Sequence, residues 1–132
     1  MAKIDAEGLE VELKVQGVYK AGHEMMIEMT VSNPTSGQRT FCRYHTPFEG
    51  MRNDIFSVSA SIRDVEYRGI MAKRGPPGKG DFITLEPGAS RSATVDLSKG
   101  YDIPPGSYAL SYRGTGISGL PMSGPLGITV IK

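Results

Sequence analysis

His23 and Glu24 begin a pattern that, completed, would bind zinc. In His-Glu-x-x-His, two histidines one helical turn apart hold the metal and the glutamate activates water. Here Ile27 stands where the second histidine must be, and the residues that follow alternate at a period of two, so the helix is missing as well. Cys42 and His45 offer a thiol and a base, but neighbouring strand positions supply no third orienting group and no oxyanion donors. The acids Asp64, Glu66, Asp81 and Asp102 are scattered at turns, where carboxylates hydrogen-bond local backbone N–H groups, and no two form an acid/base couple. Arg63, Arg68, Lys73, Arg74 and Lys79 make the one charge asymmetry, offset in part by Asp64 and Glu66; set among glycines and prolines they read first as a solvated loop, next as a partner-docking loop and last as an anion site. No catalytic residue, metal ligand or cofactor site is therefore expected, and the residues left to act are those on exposed loops.

Those loops must be held by strands. Leu9, Val11, Leu13 and Val15 alternate with Glu10, Glu12, Lys14 and Gln16, and Met25, Ile27, Met29 and Val31 alternate with Met26, Glu28, Thr30 and Ser32. A half-buried strand satisfies that period and a helix does not. After the turn signal Asn33-Pro34-Thr35-Ser36-Gly37 a third strand is expected from Arg39 to Tyr44, with Phe41 and Arg43 facing one way and Cys42 and Tyr44 the other. His45 to Asp54 reads as a loop packed by Phe48 and Met51. Phe56, Val58, Ala60 and Ile62 alternate with serines, and Val65–Arg68 is expected to return beside them as a hairpin after Arg63-Asp64. Ile70-Met71 is expected to dock against the core, and Lys73 to Gly80, which has no large apolar side chain, to project into solvent as a mobile loop.

Phe82–Leu85 is a brief strand, Glu86-Pro87-Gly88 a turn, and Ala93, Val95 and Leu97 mark the next strand. Pro104, Pro105 and Gly106 form a corner that feeds Tyr108, Leu110 and Tyr112 onto one face. A glycine-rich connection from Gly114 to Gly124 leads to Leu126, Ile128 and Val130. The sum is an all-β fold, an immunoglobulin-like antiparallel β-sandwich of about 7–9 strands, with a small open barrel as the nearest competitor. Residues 1–8 read as an N-terminal lead and 9–132 as one domain.

Seventeen glycines, nine prolines and no tryptophan suit short strands joined by many turns. Fifteen basic against fourteen acidic residues leave a net charge of +1, which gives no field for nucleic acid or a membrane surface. Cys42 is the single cysteine, so no internal disulfide forms and the redox compartment stays open. The start has no apolar stretch of signal-peptide length, which places the chain in the cytoplasm if that start is native.

An ordered series of short motifs adds a resemblance: His45-Thr-Pro-Phe-Glu-Gly50, Asp54-Ile-Phe-Ser-Val58, Tyr67-Arg-Gly69, Ala72-Lys-Arg-Gly-Pro-Pro77, Asp81-Phe-Ile-Thr-Leu-Glu-Pro-Gly88, Val95-Asp-Leu97 and Tyr101-Asp-Ile103. From Leu9 to Arg113 the chain resembles the non-catalytic N-terminal region, or pro-region, of deuterolysin-type (aspzincin, peptidyl-Lys endopeptidase-like) zinc metalloproteases. The resemblance implies a free-standing β-sandwich without proteolytic activity that binds or restrains a protease, in a secreted or periplasmic setting. Asn33-Pro34-Thr35-Ser36-Gly37 is also similar to one loop of chagasin-type cysteine-protease inhibitors. Of that family's two further loops, Gly114 to Gly119 has the glycines in an unsuitable place, and Leu120-Pro121-Met122 lacks the arginine and aromatic.

The expected partner is accordingly a protein, with a zinc metalloprotease as the family-implied choice. A structural or adhesive sandwich with no protease partner is the alternative. The oligomeric state is left open. The expected contact loops run from His45 to Asp54 and from Ile70 to Asp81, with His45, Thr46, Pro47, Phe48, Glu49, Lys73, Arg74, Pro76 and Pro77 as the contact residues.

Overall fold

The structure, a computed structural model that describes residues 3–61 and 63–132, is all-β. Nine strands follow in order: β1 (Glu10–Lys14), β2 (Val18–Lys20), β3 (Met26–Ser32), β4 (Arg39–Cys42), β5 (Phe56–Ser59), β6 (Phe82–Leu85), β7 (Ser90–Asp96), β8 (Gly106–Tyr112) and β9 (Ser123–Ile131). Short 3-10 turns occur at Pro47–Glu49, Lys79–Asp81 and Leu97–Lys99, and there is no α-helix among the described residues. The strands form three sheets, ordered β1-β3-β7, β2-β9-β8-β5 and β4-β6. All pairings are antiparallel except β2 with β9.

The period-two patterns explain why the sheets close over a single core. In the first sheet Leu13 lies opposite Met29, and Met29 opposite Ala93. Met25, Ile27, Met29 and Val31 are all buried, while Glu28, Thr30 and Ser32 between them keep partial contact with solvent. In the second sheet Phe56 pairs with Tyr112 and Val58 with Leu110, all four fully buried, and the Phe56 and Tyr112 rings meet edge to face at 6.2 Å. Phe41 and Leu85 carry β4 and β6 into the same apolar cluster. Each fully buried Phe, Leu or Met contributes roughly 1.5–3 kcal/mol of transfer free energy, so this inward row is what holds the sheets together. The β8–β9 register shifts between Leu110 and Tyr112, opposite Gly124. Gly124 has φ 106°, and a Cβ there would sit 2.8 Å from the Leu110 carbonyl, so no other residue fits this bulge without strain.

Several expectations need correction. The third strand stops at Cys42, short of Tyr44, and Phe41 and Cys42 are both buried. Arg43 and Tyr44 already lie in a bend and turn, and His45 follows with φ 61°, in the left-handed region that extended strands do not use. The hairpin return after β5 shrinks to one bridge, Ser59 with Asp64, flanked by two backbone hydrogen bonds, from Ala60 N to the Arg63 carbonyl and from Val65 N to the Val58 carbonyl. Beyond it Tyr67 bridges to Tyr101 and stacks edge to face on it at 5.3 Å, which draws the segment away from β5. Ile62, expected to close the β5 pattern, lies outside the described residues. Ile70 and Met71 do not dock: they are 62% and 67% exposed.

Leu97 belongs to a 3-10 turn and not to β7. Strand β2 was not foreseen; Tyr19 at its centre is buried, and its hydroxyl donates to the Met26 carbonyl at 2.7 Å. The lead is tied into the domain as well. Asp5 and Thr40 exchange backbone hydrogen bonds of 2.8 and 2.9 Å, and Ala6 is buried.

Candidate partner-binding loops

The two segments expected to carry contacts come together in space. His45 to Gly50 is closed on itself: Thr46, fully buried, caps the Pro47–Glu49 turn by accepting from Phe48 N at 3.1 Å while its hydroxyl donates to the Arg43 carbonyl at 2.7 Å. Pro47 stands at the start of that turn, where the amide it lacks would have no helical acceptor. Phe48 packs edge to face on Phe41 at 5.4 Å. The carboxylate of Glu49, whose side chain is 1% exposed, accepts from His45 N at 2.8 Å through one oxygen. Its other oxygen meets Arg74 Nη2 from the second segment, as a close ion contact and not an aligned hydrogen bond.

Arg74 is held from a second side. Its guanidinium lies 3.9 Å from the centre of the Tyr44 ring, a cation–π contact worth about 0.5–2 kcal/mol. Tyr44 in turn donates its hydroxyl to Asp81 at 3.0 Å, and Asp81 also accepts from Arg43 Nε at 2.8 Å and Gly78 N at 2.8 Å. The Ala72 amide donates to the Arg52 carbonyl at 2.9 Å. The loop from Lys73 to Gly80 is therefore solvent-facing as expected, but it is pinned at Arg74 and again at Gly78 and Asp81, so the expected mobility does not follow. Lys73, Pro76, Pro77 and Lys79 stand exposed between and beside the pins.

Of the nine residues expected at a contact surface, Thr46, Pro47 and Glu49 are buried and act within the chain, and His45 and Phe48 are half-buried. Arg74 has 23% of its side chain exposed and is engaged by Glu49 and Tyr44. Lys73, Pro76 and Pro77 are the ones presented to solvent. Sequence spacing does not mark Tyr44, Arg43 or Asp81 as site residues, although Asp81 has the expected turn carboxylate's bond to local backbone in its contact with Gly78. The link between Tyr44 and Asp81 spans 37 residues and leaves no signal in local spacing.

The other reactive-looking residues stay apart from this cluster or are shut in. His23 and Glu24 sit exposed on a turn, while Ile27 is buried in the core. Among the described residues no three His, Cys, Asp or Glu side chains gather in a metal-binding arrangement. Cys42 is fully buried, and burial pushes its thiol above the ordinary value. Native protein should therefore resist thiol-modifying reagents at neutral pH and react only when denatured, as counted by mass spectrometry. Rapid native labelling would show a thiol that is open and ionised.

Asp81 is held below the usual carboxylate range, chiefly by the Gly78 N–H and further by Arg43 and Tyr44, against a smaller opposing effect of burial. A carboxyl depressed on folding stabilises fully above its unfolded value, about 3.9, and that contribution is lost as pH falls through the lower folded value. Thermal stability should fall as pH drops below about 4, and Asp81→Asn should flatten the Tm-against-pH slope in that window. An unchanged slope would mean that Asp81 is solvated and not clamped.

Searches against protein families and against curated proteins return no match for this chain.

Proposed function

We propose that the chain is an immunoglobulin-like antiparallel β-sandwich acting as a non-catalytic protein-binding domain, related to the pro-regions of deuterolysin-type zinc metalloproteases, that binds or restrains a protease. Support for the sandwich comes from the strand order. The sheet of β1, β3 and β7 matches the first, second and fifth strands of that fold, and β5, β8 and β9 match its third, sixth and seventh, with the short β2 added in parallel at the β9 edge. Tyr108, near the start of β8, donates its hydroxyl to the Pro104 carbonyl at 2.6 Å, the arrangement of a tyrosine corner.

The observation that carries the binding reading is the pinned loop. Arg74 is tied to Glu49 and Tyr44, and Gly78 to Asp81, so the Pro76-Pro77 tip is exposed on a short, doubly anchored base. A contact segment ordered before binding has less conformational entropy to lose when a partner arrives. The test is capture by the intact protein of metalloproteases from its host, together with inhibition of their activity. The reading predicts that both are seen at stoichiometric ratios, and failure to bind or inhibit any metalloprotease removes it.

A second reading, a structural or adhesive interaction module, is favoured by the outer face of the four-stranded sheet. Ser57, Ser59, Ser107, Ala109, Ser111, Gly127 and Thr129 line it with small uncharged groups, and at its rim Val18 and Ile131 are 53% and 49% exposed, with the charged Lys20 beside them. Val18→Asp with Ile131→Asp separates the two: loss of self-association or surface adhesion without loss of protease capture supports a separate adhesive face.

A further inference from the structure

The charge of the pinned loop says what kind of surface it fits, an inference that rests on the protein-binding reading above. Residues 43–54 and 72–81 hold Arg43, Arg52, Lys73, Arg74 and Lys79 against Glu49, Asp54 and Asp81. All three carboxylates are engaged within the chain, Glu49 by Arg74, Asp81 by Arg43 at 2.7 Å, and Asp54 by the Tyr101 hydroxyl and Arg113. Arg52, Lys73 and Lys79 have no ion-pair partner among the described residues, and all three are exposed. The whole chain carries only +1, so this local excess reflects where the fold places and neutralises charge.

We propose that the lip made by Lys73, Pro76, Pro77 and Lys79, with Arg52 beside it, docks onto an acidic patch on a partner protein. The two prolines fix backbone φ and offer apolar rings between the cations, which suits a protein surface where carboxylates surround an apolar contact. A nucleic acid strand would want a free aromatic face for stacking. The one aromatic in the cluster, Tyr44, has a ring face covered by the Arg74 guanidinium. Cations exposed at an interface rim act mainly on association rate and salt dependence.

The test follows backbone amide shifts of the intact chain during titration with a polyglutamate peptide, and separately with a single-stranded oligonucleotide of equal charge. Polyglutamate should move the amides of residues 72–75 and 78–80 and of Arg52. Its apparent affinity should fall about ten-fold or more between low and physiological salt, as the screening length shrinks to roughly 8 Å. Lys73→Glu with Lys79→Glu, both at exposed positions, should abolish the effect while leaving the rest of the spectrum in place.

Shifts that map elsewhere, a double variant that binds like the wild type, or tighter binding of the oligonucleotide would each overturn the proposal. Its failure is distinguishable from that of the protease reading. A wild type that captures no metalloprotease but still maps polyglutamate to the lip sinks only the protease reading, whereas a double variant that captures protease as well as the wild type sinks only the acidic-docking inference.

Discussion

Tyr101→Ala should be among the most damaging single substitutions in this chain, costing about 3–5 kcal/mol, with Tyr101→Phe retaining the ring and costing about 1–3 kcal/mol. The side chain is buried and joins three separate segments. Its ring packs on Tyr67, and its hydroxyl lies 3.0 Å from Phe56 N, 2.9 Å from the Phe56 carbonyl and 2.5 Å from the Asp54 carboxylate. Removing only the hydroxyl leaves the Phe56 amide without its acceptor in a buried place, and an orphaned donor costs more than the bond itself was worth. Asp54 suffers less, since its side chain is 38% exposed and Arg113 is nearby at 3.6 Å. Removing the ring opens a cavity where the start of β5 meets the corner after β7.

Urea unfolding followed by fluorescence or circular dichroism should place the two variants in that order, and a Phe variant as stable as the wild type would show that the hydroxyl secures nothing. The same burial carries a pH consequence. Burial, then the Asp54 hydrogen bond, raises Tyr101 well above the ordinary phenol value, and burial pushes Tyr112 up to about 12. A phenol raised on folding contributes its stabilisation fully below the unfolded value of about 10 and loses it as pH rises through the folded one. Tyr101 and Tyr112 should therefore stay protonated well above pH 10, and their ionisation should coincide with alkaline unfolding.

What could be read from the chain beforehand depended on whether the cause was local. The period-two rows at Met25 to Val31 and at Phe56 and Val58 appear as buried strand faces, because alternation is imposed residue by residue by the pleat. β2 was missed because three residues are too few to alternate; only the Val18-Tyr19 pair between Gly17 and Gly22 hinted at it, and its partner β9 lies more than a hundred residues away. Val65–Arg68 misled for the opposite reason: a short turn after a strand favours a hairpin locally, while the Tyr67–Tyr101 stack that wins is a long-range contact.

The loops show the same division. Glycines and prolines rightly placed Lys73 to Gly80 in solvent, yet nothing in the spacing of Tyr44, Glu49, Arg74 and Asp81 announced that they would meet. A composition rich in glycine suggested mobility where ion pairing imposes fixed anchors. Burial of Thr46, Pro47 and Glu49 was likewise hidden, since a polar threonine and a glutamate read as surface until their partners are known.

Arg74→Ala should destabilise the domain by roughly 2–4 kcal/mol, although the residue sits on a loop. It would leave the Glu49 carboxylate, almost wholly withdrawn from water, without a counter-ion, and an uncompensated buried charge is costlier than the loss of the pair's own attraction. The lower part of the range is favoured because Arg74 keeps 23% of its side chain in solvent, which screens the pair. Glu49→Gln should cost less, about 1–2 kcal/mol, since the arginine left behind can turn to water and still cover Tyr44. Combining Arg74→Ala with Glu49→Gln should recover part of the loss, with a coupling of about 1–3 kcal/mol in a double-mutant cycle, as expected of groups in direct contact. Lys73→Ala, one residue away and unpaired, should change stability by less than about 0.5 kcal/mol. Amide exchange at Gly75, Gly78 and Lys79 should quicken in the Arg74 variant and not in the Lys73 variant, because only the first cuts an anchor. If Arg74→Ala instead unfolds at the wild-type denaturant midpoint, Glu49 has water beside it and the loop is not held at its base. The ordered presentation on which the binding reading depends would then be lost with it.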